Sequence, residues 1–301
     1  MNKLAIVIPY YKLDFFEETL KSVAAQTDRN FTLYIGNDAS PYHPLPLIDK
    51  YFKKEDYQYF DYKENLGGKN LALQWERVLD NVKEDWFQIL GDDDVISGNF
   101  VEEFYTNLNQ IEKYNINIIK FSQALIDGQG VILTPYTHLK TITHYCDIWT
   151  SIFAKRERSS LSENIFRTSE YNKYKFKKYP LAWYSDDMAI LEISNFKNIF
   201  FIETAQVQVR ISEKSISGMN DDEDLNRKKE WARLYFYEDI LKKFKLLPKK
   251  DIEPLLKLYL SICWHLRENK IINLVPLYLH IGKPLKILTI PYKKILLNRN
   301  K

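Results

Sequence analysis

"DWFQILGDDDVISG", Asp85 to Gly98, decides how this chain is read. Trp86 to Leu90 is a short, mostly apolar run of the kind that forms a buried strand, and Gly91 ends it. Asp92, Asp93 and Asp94 follow at once. Three like charges at the end of a buried strand repel one another, so something positive must stand opposite them. Hard divalent cations take carboxylate oxygens, and Mg²⁺ or Mn²⁺ is commonly shared between one or two carboxylates and substrate phosphates. An exposed acidic turn capping the next helix has the same composition. The triplet alone supports both readings; its place after a buried strand favours the metal.

Strand and helix patterns alternate on both sides of this stretch. "KLAIVIPYY" (Lys3–Tyr11) is an apolar, β-branched run suited to a strand buried on both faces. "DFFEETLKSVAAQT" (Asp14–Thr27) reads as a helix capped by Asp14, with Phe15, Leu20, Val23 and Ala24 as its inner stripe. "FTLYIGND" (Phe31–Asp38) and "YQYFDY" (Tyr57–Tyr62) are strands, and "NLALQWERVLDNV" (Asn70–Val82) is a helix. Beyond the aspartates come a helix over "GNFVEEFYTNLNQIEKY" and a strand at "NIIKFS". The order predicts an α/β fold: a mostly parallel sheet flanked by helices on both faces. In such sheets ligands bind beyond the carboxyl ends of the strands. Those ends carry Pro9 and Tyr11, then Asn37 and Asp38, then Asp92 to Asp94.

The stretch from Asp127 to Arg210 is less regular, closed by two short strands, "NIFFIE" and "AQVQVRIS". From Asn220 the spacing becomes helical, which divides the chain into residues 1–219, an α/β unit, and residues 220–301, a helical C-terminal appendage. The 301 residues are 45% hydrophobic and 28% charged, enough apolar matter for a sizeable core. The aromatic share, 15% with 21 Tyr and 6 Trp, suits stacking on rings or sugars and equally suits plain core packing. Two distant cysteines form no disulfide framework or zinc pattern. The N-terminal apolar run lacks the features of a signal peptide, and no run approaches membrane-spanning length. A cytoplasmic protein is expected. A net charge of +3 gives no ground for nucleic-acid binding.

Four further segments carry chemistry. In "IGNDAS" Asp38 can accept the ring N–H of uracil or thymine, or serve as an Asx-turn residue. In "ENLGGKN" Asn65, Gly67 and Gly68 let backbone approach a ribose or phosphate, or make a simple turn before the helix. In "YSDDMAIL" Asp186 and Asp187 can supply a general base for an acceptor hydroxyl, or merely favour a helix start. In "VRISEKSISG" Arg210 and Lys214 can hold a diphosphate in a closing loop, or belong to a solvated linker.

The order of these features, "AIVIPYY", "YIGNDAS", "ENLGG", "FQILGDDD" and "SDD", resembles the inverting family 2 glycosyltransferases of the GT-A (Rossmann-like) fold, of the bacterial polysaccharide type. The resemblance covers Lys3 to about Gly218. It implies that Pro9 and Tyr11 line the nucleotide pocket and that Asp38 reads the base. It implies that Asp94 is the ligand of Mn²⁺ or Mg²⁺, with Asp92 and Asp93 competing to assist it or to touch sugar and ribose. Asp187, or Asp186 beside it, becomes the catalytic base. The donor implied is a UDP- or dTDP-sugar, and the acceptor a hydroxyl of a glycan or lipid-linked oligosaccharide. The chain departs from the pattern at Gly91, where an aspartate is usual, and at "QWERV" (Gln74–Val78), near the place of an Ala-Arg-Asn run. A sugar nucleotidyltransferase would carry a Gly- and Arg-rich loop where "PYYKLDFF" stands. An inactive sugar-binding or scaffold homologue would have no use for the acidic pairs. The tail "HIGKPLKILTIPYKKILLNRNK" (His280–Lys301) holds five lysines and Arg299 among apolar residues and no acid, which suits peripheral contact with an anionic inner membrane face or a solvated basic end.

Overall fold

The computed structural model describes residues 2–153, 159–212, 218, 222–268 and 272–285. β1 (Leu4–Tyr10) is buried on both faces, with Leu4, Ile6, Ile8 and Tyr10 in one apolar core and Ala5 and Val7 in the other. That two-sided burial is why its sequence runs apolar without alternation. α1 (Phe16–Ala24) covers the first core with Phe16, Leu20 and Val23. Its N-cap is Phe15, with no side-chain capping bond, so neither Asp14 nor the Phe15 stripe position falls as expected.

β2 (Phe31–Asp38), α2 (Leu45–Tyr51), β3 (Tyr57–Tyr62), α3 (Leu71–Leu79) and β4 (Trp86–Ile89) continue the alternation. β5 (Val95–Ile96), α4 (Phe100–Lys113) and β6 (Ile118–Ile126) follow the aspartates. Then come β7 (Ile142–His144), α5 (Tyr145–Phe153), β8 (Asn164–Arg167), α6 (Thr168–Tyr174), α7 (Ser185–Ile193) and β9 (Asn198–Arg210). The strands form one sheet in the order β3-β2-β1-β4-β8-β6-β9-β5, with β7 on β9.

The first four strands are parallel, as expected. The rest is mixed. β8 lies antiparallel between β4 and β6, and β5 and β7 run antiparallel to β9. The two short strands expected near the end of this region are one long strand, β9, whose ladder with β6 shifts register between Phe121 and Ser122.

α8 (Glu223–Lys242), α9 (Lys249–His265) and α10 (Val275–His280) lie against the second core. Ala232, Phe236, Ile240, Leu255 and Tyr259 share one cluster with Val7, Phe87 and Met188, so these helices and the sheet bury a common apolar interior. Among the described residues no helix is long and apolar enough to cross a membrane. Most of the basic tail, residues 286–301, lies outside the described residues, as does Lys214.

Candidate active site

The carboxyl ends of β1, β2 and β4 lie side by side, because β1 pairs with both of the others in register. The turn after β4 folds so tightly that a Cβ on Gly91 would come 2.8 Å from Asp94 Oδ2 and 3.1 Å from Asp93 Oδ1. A side chain at this position would require the Asp93 and Asp94 carboxylates to shift.

The three carboxylates are committed to different degrees. Asp94 has both oxygens engaged: Oδ1 accepts the Arg210 N–H at 2.8 Å and Oδ2 accepts the Ser162 hydroxyl. Asp92 has one engaged, Oδ2, which accepts the N–H groups of Tyr11 and Lys12 at 2.7 Å each and ties the β1 loop to the turn. The Asp93 carboxylate accepts no hydrogen bond from any other described residue, and the residue is partly buried, which raises its carboxyl. Asp94 was expected to be the metal ligand. Both its oxygens accept hydrogen bonds from the protein's own donors, whereas Asp92 uses one oxygen and, among the described residues, Asp93 accepts none from another residue.

Arg210 is what stands opposite the triplet. Its side chain is wholly buried. Nε donates to Asp93 O at 3.0 Å, Nη1 to Asp127 O at 2.8 Å and Nη2 to Glu18 Oε2, while the guanidinium lies 4.3 Å from the Phe15 ring centroid. The sequence placed Arg210 in a loop, where it or Lys214 could hold a diphosphate. Arg210 is instead the last residue of β9, paired in the ladder with Ile126, and its fork is occupied. Even so the cluster is short of positive charge. Burial, then Asp93, pushes Asp92 up to about 7, against the pull of Lys12 and the two N–H donors. Asp94 is driven well above the usual carboxylate range by burial, then by Asp93.

At the end of β2, Asp38 is buried under the glycine loop. Oδ1 accepts the Leu66 N–H at 2.8 Å and the Arg77 guanidinium at 2.5 Å, and Oδ2 accepts the Gly67 N–H at 2.8 Å. A Cβ on Gly67 would sit 2.6 Å from Asp38 Oδ2, so only glycine permits this approach. Asn65 accepts the Gly68 N–H and closes the turn, and Asn70 caps α3 through the Ala72 N–H. Burial raises the Asp38 carboxyl, and these donors oppose the rise. Arg77 also donates to Glu64 O at 3.0 Å and lies 3.8 Å from the Tyr62 ring centroid. Sequence reasoning did not single out Arg77 or Tyr62. The signal for Arg77 was its place in "QWERV", where the family's arginine run is missing. Pro9 is half-buried at the end of β1 beside Gly36, and Tyr11 is exposed on the rim with its carbonyl accepting the Ser40 hydroxyl at 2.6 Å.

The second acidic pair opens α7. Asp186 and Asp187 occupy its first turn, after Leu181, Ala182 and Tyr184, all three with left-handed backbone (φ 60°, 55° and 66°). Such residues cost of order 1–3 kcal/mol each and persist only where packing imposes them. Here the Tyr184 ring stacks on Phe236 of α8 at 4.8 Å and 4°, and its hydroxyl meets Arg233 at 3.3 Å. Asp187 is buried and accepts the Tyr145 hydroxyl at 3.0 Å. Burial, then the neighbouring Asp187, pushes Asp186 up to about 8. Asp187 is raised by burial too, with Tyr145 and Lys120 opposing. Ser162 donates to Asp94, and the charge of Glu163 beside it raises Asp94, Asp186 and Asp187 alike.

A parallel half-sheet with carboxylates at its strand ends, an antiparallel strand wedged beside it and helices on both faces is the GT-A fold of glycosyltransferases. The chain belongs to glycosyl transferase family 2, whose family model matches residues 5–190. It is similar to the S. aureus TarS structure with UDP-GlcNAc at a TM-score of 0.63 and 16% identity, covering 87% of this chain and 73% of that one. Against the longer TarS structure the TM-score is 0.60 at 14% identity, covering 97% of this chain and 50% of that one. Among curated sequences it is 31% identical to a teichoic acid poly(glycerol phosphate) polymerase of Staphylococcus epidermidis over 121 residues, 38% of this chain and 15% of that protein. It is 24% identical to an uncharacterized glycosyltransferase of Rickettsia typhi over 207 residues, 62% of each. The chain thus spans between 15% and 62% of the length of these two relatives.

Proposed function

We propose that this chain transfers a sugar from a UDP-sugar to a hydroxyl of a glycan or lipid-linked acceptor, with inversion at the anomeric carbon and with the help of a divalent cation. The observation that carries the reading is the graded commitment of the β4 triplet: Asp94 has both oxygens hydrogen-bonded to the protein, Asp92 one, and Asp93 none to another described residue. Among the described residues no three His, Cys, Asp or Glu side chains could hold a metal by themselves. That donor set fits a cation held by one or two carboxylates and completed by substrate phosphates. Asp93 would hold Mn²⁺ or Mg²⁺, with the free oxygen of Asp92 in support. Bound there, the cation supplies positive charge against the diphosphate that leaves.

The uracil lies against Asp38 and Arg77, with Pro9 and Tyr11 on its flank and the backbone of Gly67 and Gly68 toward the ribose. Asp187 takes the proton of the acceptor hydroxyl. The freed oxygen bonds to the anomeric carbon from the face opposite the diphosphate, and the bond from that carbon to the phosphate oxygen breaks. Asp186, held protonated to about pH 8, leaves its neighbour free to act as base. Complexes of TarS with UDP and with UDP-GlcNAc support a uridine donor. The teichoic acid polymerase relative supports an acceptor in cell-wall polymer synthesis. A cytoplasmic protein resting on the inner membrane face through its basic tail fits a lipid-linked acceptor.

The test is UDP release across a panel of UDP- and dTDP-sugars, with and without Mn²⁺, in wild type and Asp187→Asn. Turnover of one uridine donor that needs the metal, and is lost in the variant, is expected. Full turnover by Asp187→Asn at saturating donor would refute the base assignment, and no turnover of any donor would refute the transferase reading.

A further inference from the structure

Tyr145 opens α5 and is wholly buried, 0% exposed. Its place is fixed from the sheet. β7, immediately before it, pairs with β9, and the Tyr145 N–H donates to Lys197 O at 2.9 Å. The ring belongs to the same apolar core as Met188 and Ala189 of α7. A phenylalanine would fill that space without burying a hydroxyl, and a buried hydroxyl needs a partner. The partner is the second acid of α7: the Tyr145 hydroxyl donates to Asp187 Oδ1 at 3.0 Å. Asp187 itself keeps 8% of its surface exposed, so the carboxylate is held inside the protein yet can be reached.

Resting on the assignment of Asp187 as base, we infer that Tyr145 is its positioning residue: the hydroxyl holds Oδ1, so that Oδ2 takes the proton of the acceptor hydroxyl. The left-handed residues before α7 set the backbone of the base, and Tyr145 sets its side chain. When the proton arrives on Oδ2, Oδ1 becomes the carbonyl oxygen of a carboxylic acid and still accepts from Tyr145. Tyr145 keeps its own proton throughout, because burial, then Asp187, holds the phenol well above its ordinary range. A hydrogen bond of this kind is stronger to the carboxylate than to the neutral acid, so it favours the form that can act as base. Lys120 from β6 and Ser159 favour that form too, whereas Glu163, from the segment before β8, and Asp186, beside Asp187 on α7, oppose it. Removing the Tyr145 hydroxyl leaves all of these in place.

The experiment is the pH dependence of kcat for UDP release from UDP-GlcNAc, or from whichever panel donor turns over fastest, in wild type, Tyr145→Phe and Asp187→Asn. Tyr145→Phe keeps the ring and removes one oxygen. It should move the acidic limb up by about one pH unit. Turnover above the limb should fall by no more than about tenfold, and the donor KM should change less than about twofold. A hydroxyl that only completes the core would leave the limb where it is. A limb that stays put or moves down therefore overturns the inference. So does a Tyr145→Phe that fails to fold, as circular dichroism would show, because the hydroxyl would then be a stability group. Asp187→Asn separates the two levels. Full turnover in it removes the base and this inference together, whereas an unmoved limb in Tyr145→Phe beside an inactive Asp187→Asn removes the inference alone.

Discussion

Replacing Arg210 with methionine tests what balances the aspartate triplet. The substitution keeps an unbranched apolar stem but removes three donors, to Asp93 O, Asp127 O and Glu18, together with the guanidinium contact to the Phe15 ring. It also removes a buried cation that pulls on Asp93 in the middle of the triplet, leaving Lys12 as the other one. Removing one partner of a buried charged set costs about 3–5 kcal/mol. An unfolding entropy of about 2.1 cal/mol/K per residue over this chain gives about 0.6 kcal/mol/K. The expected fall in Tm is therefore about 5–8 °C. Differential scanning calorimetry in metal-free buffer at pH 7.5 measures it, with Arg210→Lys expected in between because it keeps the charge and loses the fork. A Tm within 2 °C of wild type (about 1 kcal/mol), accompanied by a large loss of UDP affinity, would refute the reasoning and return Arg210 to the role of a diphosphate ligand.

Arg77→Ala should weaken UDP binding about tenfold by freeing Asp38 and the Tyr62 face, a loss of about 1.4 kcal/mol read by calorimetric titration. Phe236→Ala should cost about 3–5 kcal/mol in urea unfolding, since it opens a cavity under the strained Tyr184 and lets the turn before Asp186 relax. The pH dependence of stability has a definite sign. Asp92 and Asp186 titrate in the fold at about 7 and about 8, above the ordinary aspartate value, so their contribution is full at acid pH and lost as the pH rises through those values. The Tm of metal-free protein should fall between pH 6 and pH 9, and Mn²⁺ with UDP should raise it more at pH 8.5 than at pH 6.

The first half of the fold was legible because its signals are local. β1 is an unbroken apolar run, α3 carries a helical stripe behind Asn70, and β4 ends in a glycine followed by charge. β8 escaped because "NIFR" is short and owes its place to backbone pairing with β4 and β6 rather than to its own pattern. Arg210 was read as a loop residue because the polar run after it looks like a linker, whereas β9 continues to that residue through its ladder with β6. The acidic residues themselves stood out. Which of them are committed did not, because Ser162, Tyr145 and Arg77 reach them across the fold from far along the chain.

The most direct test of the account is calorimetric titration of UDP with Mn²⁺ into wild type, Asp93→Asn and Asp94→Asn. The account expects Mn²⁺-dependent binding in wild type, its loss in Asp93→Asn with an unchanged Tm, and in Asp94→Asn a lowered Tm as the contacts to Arg210 and Ser162 weaken. Binding that survives in Asp93→Asn and vanishes in an equally stable Asp94→Asn would contradict it and make Asp94 the metal ligand.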